Sequence, residues 1–165
     1  MARKVKLRDT GEDSTSDVAF KAEDGKYYSS EKAYEKISKN KYYKNKCIDL
    51  MFEVLGYKNN MIIPTFFYKS LKNFEGVGYE ALYNTMISQD KSVQWALNNK
   101  TFNGEVSKVM YIMAIYSNNV MDEYKKIIEN QKNKSIMEKT NDINEMSDNI
   151  NRKQEVKNIS RFLED

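Results

Sequence analysis

Val109-Met-Tyr-Ile-Met-Ala-Ile-Tyr116 is the stretch on which the fold turns. It holds no charged residue and no helix breaker, and it is apolar on every face when wound as a helix. A helix of that kind is normally buried all round. At eight residues the run is far too short to cross a bilayer, which takes about 20. The stretch therefore predicts a central helix inside a soluble bundle, opened by Asn103 or Gly104 and continuing to about Asn130.

Upstream, the remaining helices of that bundle are legible. Ser29 or Ser30 before Glu31 offers an N-cap followed by an acid in the first turn. The helix that follows is expected to break near Ser38–Asn40, resume from Tyr42 and stop at Gly56. Tyr43, Cys47, Leu50, Met51, Val54 and Leu55 recur within it at helical spacing. Asn59-Asn60 marks a turn, and Pro64 suits the first turn of a second helix through Phe66, Phe67, Leu71 and Phe74. Gly76 and Gly78 separate it from a third helix, Tyr79 to Gln89. A short fourth helix spans about Ser92–Asn98 and holds Trp95 and Leu97.

The expected fold is mainly α: a compact bundle of about five helices around a buried central helix, with polar N- and C-terminal tails. Residues 1–25 read as a flexible N-terminal arm, because Asp9–Asp17 is rich in Gly, Ser, Thr and acids. Residues 26–130 read as the helical domain, and residues 131–165 as a polar, partly helical C-terminal tail. Ile136, Ile143, Met146 and Ile150 are roughly heptad-spaced, but the lysines among them argue against a stable coiled coil. Ile159, Phe162 and Leu163 form a short amphipathic patch suited to docking on the domain or on a partner.

Composition narrows the chemistry. The chain has no His, one Cys and one Pro in 165 residues, with a net charge of +3. Without His, the commonest general base, the commonest transition-metal ligand and every Ser-His or Cys-His pair are missing. A lone Cys47 permits no internal disulfide and no thiolate zinc cluster. Together with the lack of a signal-like segment after Met1–Arg8, this points to a reducing cytoplasm and to no membrane association. Cys47 lies in an apolar stripe, where it acts as a small hydrophobe.

Motif matches fall to bland readings. Gly76-Val-Gly-Tyr-Glu-Ala81 fits the dinucleotide-binding pattern by letter, but what precedes it reads as helix rather than strand. Ser-x-x-Lys at Ser29, Ser38 and Ser88 occurs about as often as chance gives in a chain with 23 Lys. Asp122-Glu123 adjoins Lys125-Lys126, a solvated helix face. No catalytic residue, metal ligand or cofactor-binding residue is assigned, and the chain is expected to bind rather than catalyse.

The strongest surface signal is basic and aromatic. Residues 26–60 carry eight Lys against four acids. Within them Lys32, Tyr34, Lys36, Lys39, Lys41, Tyr42, Lys44 and Lys46 are the candidate partner- or nucleic-acid-binding residues. Lys contacts phosphates and exposed Tyr stacks on unpaired bases. With only four Arg in the chain, base-specific readout is poorly served.

Lys-Tyr-Tyr-Ser-Ser-Glu-Lys-Ala-Tyr34, Cys47-Ile-Asp-Leu-Met-Phe-Glu-Val-Leu-Gly56, Gly78-Tyr-Glu-Ala-Leu-Tyr83 and the Val109–Tyr116 run carry a resemblance. The segment from Lys26 to Lys126 resembles uncharacterised helical proteins of bacteriophages and mobile elements of A/T-rich Gram-positive bacteria. The resemblance implies an accessory protein that binds a host protein or nucleoprotein stoichiometrically, as a counter-defence inhibitor of the anti-CRISPR kind does. The alternative is a nucleic-acid-binding protein of phage replication or transcription. The resemblance carries no functional residue, and the oligomeric state stays open.

Overall fold

The computed structural model describes the backbone of residues 2–57 and 65–162, and the side chains of residues 2–57, 65–137 and 140. The Asn59-Asn60 turn and Pro64 lie outside the described residues, as does Leu163, while Ile159 and Phe162 are described only as helical backbone. Two compact units divide the chain, Met1–Tyr124 and Lys125–Asp165.

The first unit is mainly helical with two small hairpins at its start. Strand β1 (Lys4–Lys6) pairs antiparallel with β2 (Asp13–Thr15), and β3 (Phe20–Lys21) with β4 (Tyr27–Tyr28). Strands β1, β2 and β3 fall within the segment read from the sequence as a flexible arm. Gly11 and Gly25, both at φ +76°, make the turns that short side chains had suggested were loose chain. Leu7, Ala22 and Tyr28 are buried beneath the hairpins. Asp9 accepts from the Ser29 backbone N–H at 3.0 Å and from the Ser29 hydroxyl, which ties the first hairpin to the start of α1.

Helix α1 (Glu31–Leu55) is capped by Ser30, whose hydroxyl accepts from the Ala33 N–H at 3.2 Å. It runs unbroken through Ser38–Asn40, where a break was expected. The Asn40 side chain accepts the Tyr79 N–H at 3.2 Å, so its polarity serves a tertiary contact instead of competing with its own backbone. The helix ends as expected at Gly56, at φ +69°. Gly56 N–H donates to Glu53 O and Tyr57 N–H to Phe52 O, a Schellman closure. The Phe52 and Tyr57 rings meet at 6.4 Å and supply the apolar contact that accompanies such an end.

Helices α2 (Thr65–Lys72), α3 (Tyr79–Ser88) and α4 (Asp90–Asn99) follow. Gly76-Val-Gly78 is the turn between α2 and α3, with helix on both sides. Helix α5 spans Gly104–Phe162 and takes in the segment read as a polar, partly helical tail. In the first unit α3 packs against α1 and α5. The core joins Cys47, Met51 and Leu55 of α1 with Phe67 and Leu71 of α2 and Leu82 and Met86 of α3. Val93 of α4 and Val109, Ile112, Tyr116 and Val120 of α5 complete it.

One expectation about the core needs correction. The Val109–Tyr116 run is not a helix buried on every side. Val109, Ile112, Met113 and Tyr116 are buried, but Met110, Tyr111 and Ala114 face solvent. The bundle covers one side of this part of α5 and leaves Met110, Tyr111 and Ala114 outside the core.

Candidate interaction surfaces

Helix α1 distributes the eight basic and aromatic candidates around its circumference. At about 100° per residue, Lys32, Lys36, Lys39, Tyr42 and Lys46 fall on one side. Tyr42 is 57% exposed, with the Lys46 ammonium 5.7 Å from its ring centroid. Lys39 is paired with Glu80 of α3 at 2.7 Å and lies 5.9 Å from the Tyr43 ring. Burial, and then the nearby Glu80 carboxylate, push the Tyr43 phenol above its ordinary pKa.

The other three point elsewhere. Tyr34 is half-buried, its ring 5.1 Å from Tyr28 and 6.0 Å from Phe20, so it packs the second hairpin onto α1. Lys41 lies about half a turn from Lys39. Lys44 is three residues before Cys47, at the edge of the buried stripe, and its ammonium sits 5.4 Å from the Tyr79 ring. The basic segment therefore makes no single face. The side with most lysines also bears Glu35 and Asp49 and abuts Glu80, so its excess of positive charge is small.

A second surface forms between α4 and α5. A solvent-open groove of about 550 Å³ is lined by Gln89, Lys91, Ser92, Trp95, Tyr111, Ile115, Asn118 and Asn119. Trp95, the only Trp of the chain, is 58% exposed in it. Its backbone is held by the Asn99 amide, which donates to Trp95 O at 2.8 Å. Tyr111 is braced by the Phe102 ring at 5.7 Å and covered by the Lys100 ammonium at 4.6 Å. Asn119 donates to Ile115 O at 2.7 Å. The lining thus combines aromatic and aliphatic side chains with amides and a hydroxyl, and it includes one lysine and no carboxylate.

This groove was not anticipated from the sequence, because Tyr111 and Ile115 belong to the run expected to be buried. A signal existed at Trp95. Its helical neighbours Lys91, Ser92, Asn98 and Asn99 are all polar, so its side of α4 has nothing apolar to pack with.

Cys47 fits its reading as a small hydrophobe. It is fully buried, its thiol donates to Tyr79 O at 3.5 Å, and burial pushes its pKa up to about 12. Among the described residues no three His, Cys, Asp or Glu side chains gather as a metal site requires, and no helix is long and apolar enough to cross a membrane. Comparison with family models, with curated proteins and with solved structures finds no match to this chain.

Proposed function

We propose that the chain is a non-enzymatic accessory protein of a phage or mobile element that binds a host protein or nucleoprotein stoichiometrically. In that role it blocks its target as a counter-defence inhibitor does. The observation that carries the binding role is the α4–α5 groove. Exposed Trp and Tyr beside an aliphatic side chain and several amides is the composition of an interface anchor point. Large aromatic side chains left in water cost the free protein solubility, and a partner that covers them recovers their burial. The source of the protein and the class of its partner rest on the resemblance described above.

The test is affinity capture from a nuclease-treated lysate of a Gram-positive host, with the wild-type chain and Trp95→Ala in parallel. A host protein held by the wild type and lost by the variant supports the reading. Equal retention by both, or no host protein retained by the wild type, refutes it.

A second reading, nucleic-acid binding through α1, is favoured by one observation. Tyr42 is more than half exposed and sits beside the Lys46 ammonium, an arrangement suited to a base stacked over a phosphate contact. The nearby acids Glu35, Asp49 and Glu80 weigh against it.

A further inference from the structure

The two hairpins at the start of the chain are stitched into one unit. Within the first, Leu7 N–H donates to Glu12 O at 2.8 Å, Ser16 N–H donates to Arg3 O at 2.9 Å, and Lys4 pairs with Asp13 at 3.0 Å. Within the second, Ala22 N–H donates to Lys26 O at 2.9 Å, and Asp24 accepts the Tyr28 hydroxyl at 3.0 Å. Between them, Leu7 bridges Tyr27 in parallel register and Arg8 N–H donates to Tyr27 O at 2.8 Å. Asp9 adds a stitch by accepting the Ser29 N–H just past the second hairpin.

This unit is held less firmly than the helices. Two-stranded pieces with strands of two or three residues are marginal in water by themselves. Among the described residues, Leu7, Ala22 and Tyr28 are the only buried hydrophobic side chains that precede α1. From α1, Tyr34 meets the unit with its ring, 5.1 Å from Tyr28 and 6.0 Å from Phe20. The start of α1 does not depend on the hairpins, because Ser30 caps it through the Ala33 N–H. Ser30 itself is extended, at φ −161° and ψ 164°, so the junction lies outside the helix. Few buried apolar contacts and largely exposed backbone hydrogen bonds mark the segments of a fold that open first.

We infer that residues 3–28 are a strap that opens from the start of α1 as one unit while the helical core stays folded, covering and uncovering the Tyr34 side of that helix. Tyr34 is the latch. Closed, its ring is taken up by Phe20 and Tyr28. Open, it joins Ile37, already 39% exposed, and Lys41 on one side of α1, at spacings of three and four residues. The strap thus decides whether this end of α1 offers an aromatic contact. Trp95 and its groove belong to α4 and α5, so this inference and the groove reading stand or fall separately.

The test is amide hydrogen exchange, read residue by residue by NMR on the full chain near neutral pH. In the wild type the Leu7, Arg8 and Ala22 amides are protected, but less than Ile112 and Tyr116 in the core. Tyr34→Ala keeps the helical circular dichroism, since Ala is the strongest helix former. It speeds exchange at Leu7, Arg8 and Ala22 by one common factor of at least about tenfold and leaves Ile112 and Tyr116 unchanged. Asp9→Ala removes a stitch between the hairpins, so it speeds Leu7 and Arg8 more than Ala22. Strap amides without any protection, or as protected as the core, overturn the inference. So does a Tyr34→Ala chain in which the strap is unaffected, only one hairpin accelerates, or the core accelerates equally.

Discussion

Replacing Tyr116 with Phe should stabilise the protein. Tyr116 is fully buried in the part of α5 that belongs to the first unit, and its hydroxyl has no hydrogen-bond partner among the described residues. An unsatisfied buried hydroxyl costs about 1–3 kcal/mol, because the water it bonded in the unfolded chain is not replaced. Phe keeps the ring and its packing while removing that cost. The gap left by one oxygen returns a fraction of the gain as lost dispersion contact. The net expectation is about 1 kcal/mol of added stability, or a rise in Tm of about 3–5 °C for a unit of this size. Thermal and urea unfolding followed by circular dichroism near neutral pH measure both. Tyr79→Phe is the companion variant, since its hydroxyl is likewise buried and unpartnered among the described residues. If the two hydroxyls are independent, the double variant gains the sum of the singles within about 0.5 kcal/mol. A loss of 1 kcal/mol or more in Tyr116→Phe refutes the reasoning, because it means the hydroxyl is bonded and contributes to the fold.

Alkaline pH should destabilise the protein from about pH 9 upward, before ordinary Tyr or Lys titration dominates. Burial raises the Cys47 pKa from 9.0 to about 12, and that of Tyr116 above 10.0, so the unfolded chain releases these protons first. Stability tied to the neutral groups is complete below the unfolded values and is lost as pH climbs toward the folded ones. Urea midpoints at pH 8 and 10.5 check this, and a thiol reagent should label Cys47 only at the unfolding rate. On α1, changing Lys32, Lys36 and Lys46 together to Glu should leave folding within about 1 kcal/mol of the wild type, as all three are exposed. If nucleic-acid binding is nonetheless present and steeply salt-dependent, the same change abolishes it; binding unaffected by the change excludes that face.

What the sequence made legible were the features set by local chemistry. The start of α1 at a Ser cap, its stop at Gly56 and the α2–α3 turn at Gly76–Gly78 follow from capping and φ preferences that act over a few residues. The hairpins were not legible, because strands of two and three residues give no alternation to read. Their packing also depends on Tyr34 of α1 meeting Phe20 and Tyr28 across the fold. The exposure of Met110, Tyr111 and Ala114 was hidden for a related reason. An apolar run tells which residues can be buried, not how many neighbours the fold provides to bury them. The α1 candidates failed to converge because a Lys-rich helix displays lysine at every angle. Only packing shows that Lys44 borders the core while Lys39 answers Glu80.

The central claim is that the α4–α5 groove is where this protein meets its partner. Trp95 is exposed, so Trp95→Ala should change the unfolding free energy by less than about 1 kcal/mol. As an anchor residue it should cost partner binding about 2 kcal/mol or more, roughly 30-fold in affinity. The decisive measurement is titration calorimetry of the captured host protein with wild type and Trp95→Ala, both shown to be folded. The account predicts at least that 30-fold loss in the variant, and equal affinities for the two proteins would contradict it.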